Sequence, residues 1–175
     1  MENYIDKSND EAIKIGDFLI KDSTLVKYIG NESVVKIPKD INSIGDSAFE
    51  NCTEITRVEI PHTVSVIGKR AFKGCTALSE ALISEGVKEI GNGAFSKCSS
   101  LTKIKLPLSV TKIGGMAFAY CHGLKEVEIP NKSTFIGLSP FFGCKDDKII
   151  KVPKDRENGI GWDFFMQKTD KKDNK

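Results

Sequence analysis

The side chains of this 175-residue chain that are best suited to covalent chemistry are five cysteines and two histidines. A cysteine nucleophile needs a base within hydrogen-bonding reach, most often an imidazole. Cys121 and His122 are neighbours in the sequence, but adjacency along a chain does not place a base against a nucleophile, and a thiol buried in apolar surroundings is unreactive. The other histidine, His62, follows Pro61 at a turn position. We therefore expect both histidines at the surface and assign no catalytic residue.

The constant interval between the cysteines bears on their chemistry. Each lies 23 residues from the next: Cys52, Cys75, Cys98, Cys121 and Cys144. Equivalent positions of successive repeats should all point inward, and parallel Cβ vectors give poor disulfide geometry. Zinc requires four ligands at the corners of a tetrahedron, and an odd number of cysteines leaves one unpaired. We expect buried free thiols that behave as small hydrophobic residues; a disulfide and a metal site are the disfavoured alternatives.

Other ligand-binding patterns are weak. The sequence contains no G-x-x-x-x-G-K-[ST] phosphate loop. The glycines Gly91, Gly93, Gly114 and Gly115 fall at repeat turns and do not form a dinucleotide-binding fingerprint. The carboxylate pair Asp146–Asp147 has no sequence neighbours that would complete a strong site, so it predicts weak cation binding at most. We predict no cofactor and no structural metal.

The interval of 23 residues extends well beyond the cysteines. Five Ile-Gly pairs, beginning with Ile44-Gly45 and ending with Ile136-Gly137, follow the same step, as do five phenylalanines from Phe49 to Phe141. A fixed period between 20 and 30 residues with apolar positions in register is typical of a solenoid. Five units without an insertion favour stacked coils, because a stack does not tolerate gaps.

Each repeat contains two short extended runs joined by a tight turn. The first follows the pattern Val-x-Ile-Pro, as in Val58, Ile60 and Pro61, and its alternation places both apolar side chains on one face. The second follows Val-x-x-Ile-Gly, as in Val64 to Ile67, and its glycine is predicted at a turn with positive φ. The Gly-x-x-Ala-Phe-x-x-Cys segment between them predicts a 3₁₀ or single α turn.

This combination of period, Ile-Gly-x-x-Ala-Phe start, central cysteine and Val-x-Ile-Pro strand resembles the BspA-like bacterial leucine-rich repeats. The resemblance covers Ile44 to Pro153 and, weakly, Ile15 to Ser43. It implies a mostly β leucine-rich-repeat solenoid of short parallel strands and 3₁₀ or short helical turns. It also implies a non-catalytic protein-binding or adhesion scaffold, since family members are often exported or displayed at the bacterial cell surface.

The second and fifth repeats depart from the pattern. The second has Ala81 at the valine position and Ser84 at the proline position. The fifth has Pro140 in place of alanine and Asp147 in place of leucine, and we expect stacking to end there.

The regions that flank the repeats suggest caps. Phe18 to Ile20 and Leu25 to Ile29 surround a Lys-Asp-Ser-Thr turn, which predicts an N-terminal hairpin. Trp162 and its aromatic neighbours predict a C-terminal cap, or else an exposed anchor for a partner. The predicted organisation is a flexible N-terminus (1–12), a cap with a partial repeat (13–43), five repeats (44–153), a C-terminal cap (154–166) and a disordered charged tail (167–175).

Composition narrows the class of protein. Hydrophobic residues make up 39% of the chain and charged residues 29%, as in a globular domain. The formal net charge of +2 gives no reason to expect nucleic acid binding, and no apolar run is long enough to cross a bilayer. The first residues lack a basic stretch followed by an apolar one, so a secretory signal is not predicted. The sequence as written favours the cytoplasm, whereas the resemblance implies the cell surface or secretion.

The residues that flank the inward Val and Ile of the Val-x-Ile strands should point outward in two columns of largely alternating charge. We predict this surface to be the binding site for a protein ligand, in a monomer or a weakly self-associating chain. Two alternatives stay open: the charges keep the sheet soluble and in register, or the chain is a structural, self-assembling unit of a longer surface array. The predicted binding residues are Arg57, Glu80, Lys103, Glu126 and Ile149 in one column and Glu59, Leu82, Lys105, Glu128 and Lys151 in the other.

Overall fold

The computed structural model describes residues 12–129, 134–144 and 150–151, and all structural statements concern those residues. The chain forms a solenoid in which each coil gives one strand to each of two sheets. The strands of the first sheet, in spatial order, are β1 (Ile13–Ile15), β2 (Phe18–Lys21), β3 (Thr24–Tyr28), β5 (Ser43–Ile44), β7 (Val66–Ile67), β9 (Glu89–Ile90), β11 (Lys112–Ile113) and β13 (Phe135–Ile136). Those of the second sheet are β4 (Val34–Lys36), β6 (Arg57–Ile60), β8 (Glu80–Ile83), β10 (Lys103–Lys105), β12 (Glu126–Glu128) and β14 (Ile150–Lys151).

The second sheet is parallel throughout and follows the repeat without slippage. Val58 of β6 pairs with Ala81 of β8, which pairs with Ile104 of β10 and then with Val127 of β12. These inward side chains are buried, with at most 4% of their surface exposed. A slip of one residue would turn them toward solvent, so burial fixes the register. The predicted alternation of the Val-x-Ile strands is confirmed.

The glycine of each Ile-Gly pair has a different role from the one predicted. Among the described glycines, positive φ occurs at other positions, and Gly45, Gly68 and Gly91 do not adopt it. A Cβ on Gly68 would instead lie 2.7 Å from the carbonyl carbon of Gly45 and the oxygen of Ile44. The coils approach too closely there for any side chain, so the prediction of positive φ was wrong and close backbone approach explains the glycine.

The turn that contains Ala-Phe-x-x-Cys is not a helix. In the second coil, the amides of Ala71, Lys73 and Cys75 donate to carbonyls three residues earlier, as in a 3₁₀ turn. The intervening amides of Arg70, Phe72 and Gly74 donate to carbonyls of the next coil instead. Arg70 and Gly74 adopt positive φ, which a continuous helix does not allow. The predicted 3₁₀ turn is therefore confirmed by these bonds, which alternate with bonds between coils.

The core is a column of rings and thiols along the axis. Phe49, Phe72, Phe95 and Phe118 are fully buried. Neighbouring rings in the stack from Phe49 to Phe141 lie nearly parallel, with centroids 4.7 to 5.5 Å apart. Cys75, Cys98 and Cys121 are buried beside them and free, while Cys52 and Cys144 at the two ends are half-buried and free. The predicted row of inward thiols is confirmed.

The N-terminal region continues the first sheet as an antiparallel meander. The predicted hairpin is present: β2 pairs with β3 across Asp22 and Ser23, both with positive φ, as type I′ turns require. Tyr28 at the end of β3 stacks on Phe49 with centroids 5.1 Å apart, so the meander closes the ring column. The predicted C-terminal cap (154–166) and tail (167–175) lie outside the described residues, as do residues 1–11.

Candidate binding surface

The outward side chains of the second sheet form two columns, as the strand register requires. Arg57, Glu80, Lys103 and Glu126 pair in succession along one column. Glu59, Leu82, Lys105 and Glu128 follow along the other, and the backbone of Lys151 continues it on β14. Val34 and Lys36 of β4 begin the two columns on the N-terminal side. Ile149 lies outside the described residues.

The N-terminal half of this surface is cross-linked by ion pairs. Arg57 lies 2.8 Å from Glu80 on the next strand and 3.3 Å from Glu59 on its own strand. Lys36 lies 3.7 Å from Glu59. These side chains are a third to three quarters exposed, where such pairs contribute about 0.2 to 1 kcal/mol each. These ion pairs therefore add little to the free energy of folding.

An open trough of about 660 Å³ lies over β8 and β10. One wall is residues 79–85, and the other includes Thr102, Lys103, Lys105 and Pro107. The trough coincides with the repeat that departs from the pattern: Ala81 replaces a larger valine at its base, and Ser84 replaces a proline at its end.

Both carboxylates of the trough are already engaged by the protein. Glu80 accepts a hydrogen bond from Arg57 at 2.8 Å. Glu85 accepts the amide hydrogens of Leu108 and Ser109 in the next coil, each at 3.1 Å. The trough therefore presents no carboxylate without an internal partner. Its two lysines, Lys103 and Lys105, are both exposed.

The structure gathers four of the predicted binding residues and leaves the others apart. Glu80, Leu82, Lys103 and Lys105 line the trough, and the exposed fraction of Leu82 is 39%. The remaining predicted residues with described side chains lie on the flanking strands of the same sheet, outside the trough: Arg57, Glu59, Glu126 and Glu128.

Sequence reasoning missed Glu85 and the loop that holds it. Gly86 has a φ of +119°, and a Cβ there would overlap the carbonyl oxygen of His62 in the preceding coil. The hydroxyl of Ser109 accepts the Gly86 amide hydrogen at 3.0 Å and donates to the Val87 carbonyl at 2.8 Å. The signal was present in the sequence: Ser84-Glu85-Gly86 replaces the usual Pro-x-x and requires a different loop.

The cysteine side chains contribute to core packing and are poorly suited to nucleophilic attack. Burial raises the pKa of Cys75 to about 12 and that of Cys121 to about 12, and it raises the pKa of Cys98 well above its usual range. A raised pKa lowers the thiolate population on which reactivity depends. Both histidines are exposed, as predicted, and His122 packs edge-on against Tyr120 with centroids 6.3 Å apart.

Within residues 12–129, 134–144 and 150–151, no three His, Cys, Asp or Glu side chains converge as metal ligands would. The same residues contain no helix with the length and apolarity to span a bilayer.

A second exposed surface lies on the turns of the fourth and fifth coils. There Met116, Leu138, Tyr120 and Phe142 are 37% to 58% exposed. Tyr120 and Phe142 pack edge to face with centroids 5.4 Å apart, and the amide of Met116 donates to the carbonyl of Leu138. We call these four residues the turn patch. At corresponding positions in the first two coils the turns carry charge, including an ion pair between Lys73 and Glu50 at 2.7 Å.

Comparison with known protein families identifies the same repeat. The protein-family model for the BspA type leucine rich repeat region matches residues 14–148 of this chain, in six copies. No curated protein matches the chain.

Several solved structures share the fold. A leucine-rich repeat protein of T. pallidum is 34% identical over 69% of this chain and 59% of its own, with a TM-score of 0.68. One from Bacteroides ovatus is 36% identical over 82% of this chain and 40% of its own, with a TM-score of 0.66. A leucine rich cell surface protein from Faecalibacterium prausnitzii is 27% identical over 84% of this chain and 56% of its own, with a TM-score of 0.55. This chain thus spans 59% and 40% of the first two relatives.

Proposed function

This chain belongs to the BspA-type leucine-rich repeat family, and from that premise we propose that it is a non-catalytic scaffold that binds a protein partner on the outward face of its second sheet. Partner binding is typical of leucine-rich repeats, whose stacked strands present an extended concave surface. The buried thiols and exposed histidines supply no nucleophile with its base, which supports a role without chemistry.

The observation that carries this proposal is the trough over β8 and β10. It brings an exposed leucine, Leu82, together with the lysines Lys103 and Lys105 in one recess of about 660 Å³. A recess with an apolar contact point and charged walls provides both burial and charge complementarity, the two elements of a specific interface. The alternative is that the alternating charges only keep the sheet soluble and in register. That role would not require such a recess.

We further propose that the protein works at the bacterial cell surface. The support is the similarity to a leucine rich cell surface protein, at 27% identity over 84% of this chain. A surface position suits a scaffold whose task is contact with another molecule.

One experiment tests the binding role. A partner captured from the source organism is titrated against the wild type, Leu82→Asp and Leu138→Asp. Both leucines are exposed, at 39% and 58%, so both variants should fold, which the Tm checks. We expect Leu82→Asp to weaken binding at least about tenfold, the scale of an interface hot spot, and Leu138→Asp to leave it unchanged. Unchanged binding by Leu82→Asp rejects the proposal.

A second function, self-assembly into a longer array, is favoured by the turn patch. Four apolar side chains on adjacent coils, including Met116 and Phe142, are more than a third exposed, and contiguous exposed apolar surface often marks an interface. The same pair of variants separates the two functions. Under self-assembly, Leu138→Asp abolishes concentration-dependent association in sedimentation, and Leu82→Asp does not.

A further inference from the structure

The two carboxylates of the trough over β8 and β10 have internal partners, and its two lysines do not. Of its four charged side chains, Glu80 and Glu85 are held by Arg57 and by two backbone amides. The side chains of Lys103 and Lys105 make no ion pair or hydrogen bond with any described residue, and both are exposed at the wall of the trough. A ligand therefore meets two lysine side chains without an internal partner, whereas each carboxylate of the trough already has one.

The two lysines have a fixed spacing. They are the first and third residues of β10, on either side of the buried Ile104, so their side chains leave the same face of the strand. Alternate residues of a strand lie about 7 Å apart. Two carboxylates at alternate positions of an extended segment have the same spacing, whereas neighbouring residues of such a segment point to opposite faces.

The trough also contains an apolar contact point, which predicts a second feature of the partner. Leu82 lies beside Lys105 in the strand register, lines the recess and is 39% exposed. Burial of this surface favours an apolar side chain at about 25 cal/mol per Å² of area removed from water. The partner should therefore combine carboxylates with at least one apolar residue.

We propose that the trough binds a short, extended, acidic segment of a protein, with carboxylates at alternate positions over Lys103 and Lys105 and an apolar side chain against Leu82. This inference rests on the proposed function of the second sheet as a binding surface and adds the chemistry of the partner.

The neighbouring strand favours a peptide over a long polyanion. Glu126 and Glu128 of β12 pair with Lys103 and Lys105 in the register, and on the other side β8 carries Glu80. The positive zone is therefore one strand wide. A polyanion that crossed several coils would meet these carboxylates and be repelled, since polyanion binding depends on an extended basic surface.

The test uses three labelled synthetic peptides of equal length, each with one leucine and either Glu-x-Glu, Gln-x-Gln or Lys-x-Lys, and follows binding by fluorescence anisotropy. The proteins are the wild type, Lys103→Glu/Lys105→Glu and the matched control Lys88→Glu/Lys97→Glu. Lys88 and Lys97 are exposed outside the trough, so the control has the same net charge. Dextran sulfate serves as the polyanion probe.

We expect the wild type to bind the Glu-x-Glu peptide about five- to tenfold tighter than the Gln-x-Gln peptide, the effect of two exposed charge contacts. Lys103→Glu/Lys105→Glu should remove that preference, the control should keep it, and high salt should reduce it. Tighter binding of Gln-x-Gln or Lys-x-Lys, a preference that survives in Lys103→Glu/Lys105→Glu, or dextran sulfate as the better lysine-dependent ligand each overturns the inference.

Absence of binding by all three peptides also overturns it, even if Leu82→Asp still releases the intact partner. In that case the surface function stands and the acidic segment is rejected. If Leu82→Asp keeps the intact partner, the binding function itself is rejected. The two failures are thus distinguishable.

Discussion

Cys98 donates its thiol hydrogen to the carbonyl oxygen of Phe72 in the preceding coil, across 3.1 Å. The same oxygen accepts the amide hydrogen of Cys75, so one carbonyl joins two coils. Equivalent thiol bonds link Cys75 to Phe49, Cys121 to Phe95 and Cys144 to Phe118. The cysteine of the second to fifth repeats is therefore a hydrogen-bond donor between coils as well as a small apolar residue.

Removal of this donor should destabilise the stack. We expect Cys98→Ala to lower the free energy of unfolding by about 1 to 3 kcal/mol, through the lost hydrogen bond and the small cavity. Cys98→Ser keeps a donor and should cost less. Urea denaturation measures both, with Cys52→Ala, at a half-buried site, as the mild control. A serine variant less stable than the alanine variant would show that apolar packing outweighs the bond.

The buried thiols should also make stability fall in alkali. Folding raises the pKa of Cys75 and Cys121 from 9.0 to about 12, so above pH 9 the unfolded chain loses protons that the folded chain retains. Their contribution is complete below pH 9 and falls as pH rises toward 12, by up to about 1.4 kcal/mol per pH unit for each thiol.

The measurement is the free energy of unfolding by urea at several pH values between 8 and about 11. Lysines and tyrosines also titrate in this range, so the comparison is with Cys75→Ser/Cys121→Ser, which lacks the two thiols. We expect a shallower decline in that variant. Parallel curves would contradict the thiol contribution.

Gly86 should be intolerant of any side chain. Its φ is +119°, and an added Cβ would overlap the His62 carbonyl oxygen, so Gly86→Ala should cost more than about 2 kcal/mol. Gly16 provides a matched control, because its φ is +57° and nothing lies within 4 Å of its added Cβ. Gly16→Ala should cost only about 1 to 2 kcal/mol. Equal urea midpoints for the two variants would refute the steric argument.

Charge reversal on the second sheet should affect binding more than stability. Arg57 is 41% exposed, so we expect Arg57→Glu to lower the Tm by less than about 4 °C while it weakens binding of the captured partner. The swapped pair Arg57→Glu/Glu80→Arg should recover the Tm but not the binding, because the surface pattern stays altered. A large loss of stability with binding intact would mean that this ion pair is structural.

The C-terminal end of the ring column gives a fifth prediction. Among the described residues Phe141 stacks on Phe118 alone, and the sequence predicts that the aromatic segment 161–166, outside the described residues, covers that end. Deletion of Gly161 to Met166 should then cause end-to-end association in sedimentation velocity. A monomeric and stable deletion variant would argue against a cap.

The side chains of the core could be predicted from the repeat. An interval of 23 residues that returns Phe72 to Phe95 and Cys75 to Cys98 places identical side chains one coil apart, and only a stack buries them all. The hairpin at Asp22-Ser23 followed from local turn chemistry. The position of the Tyr28 ring in the column could not be predicted, because Tyr28 lies out of step with the repeat and reaches the column only through the meander.

The sequence by itself thus determined which side chains point inward and which outward, because strand alternation and the period are local properties of the chain. Only the tertiary structure decided which outward charges are already satisfied: Glu80 by Arg57, and Glu85 by amides of the next coil. The backbone φ of Gly86 and the recess above Ala81 were likewise decided there. The reason is physical: the repeat places Glu80 one coil from both Arg57 and Lys103, and only the distances between the side chains decide which of the two cations holds the carboxylate.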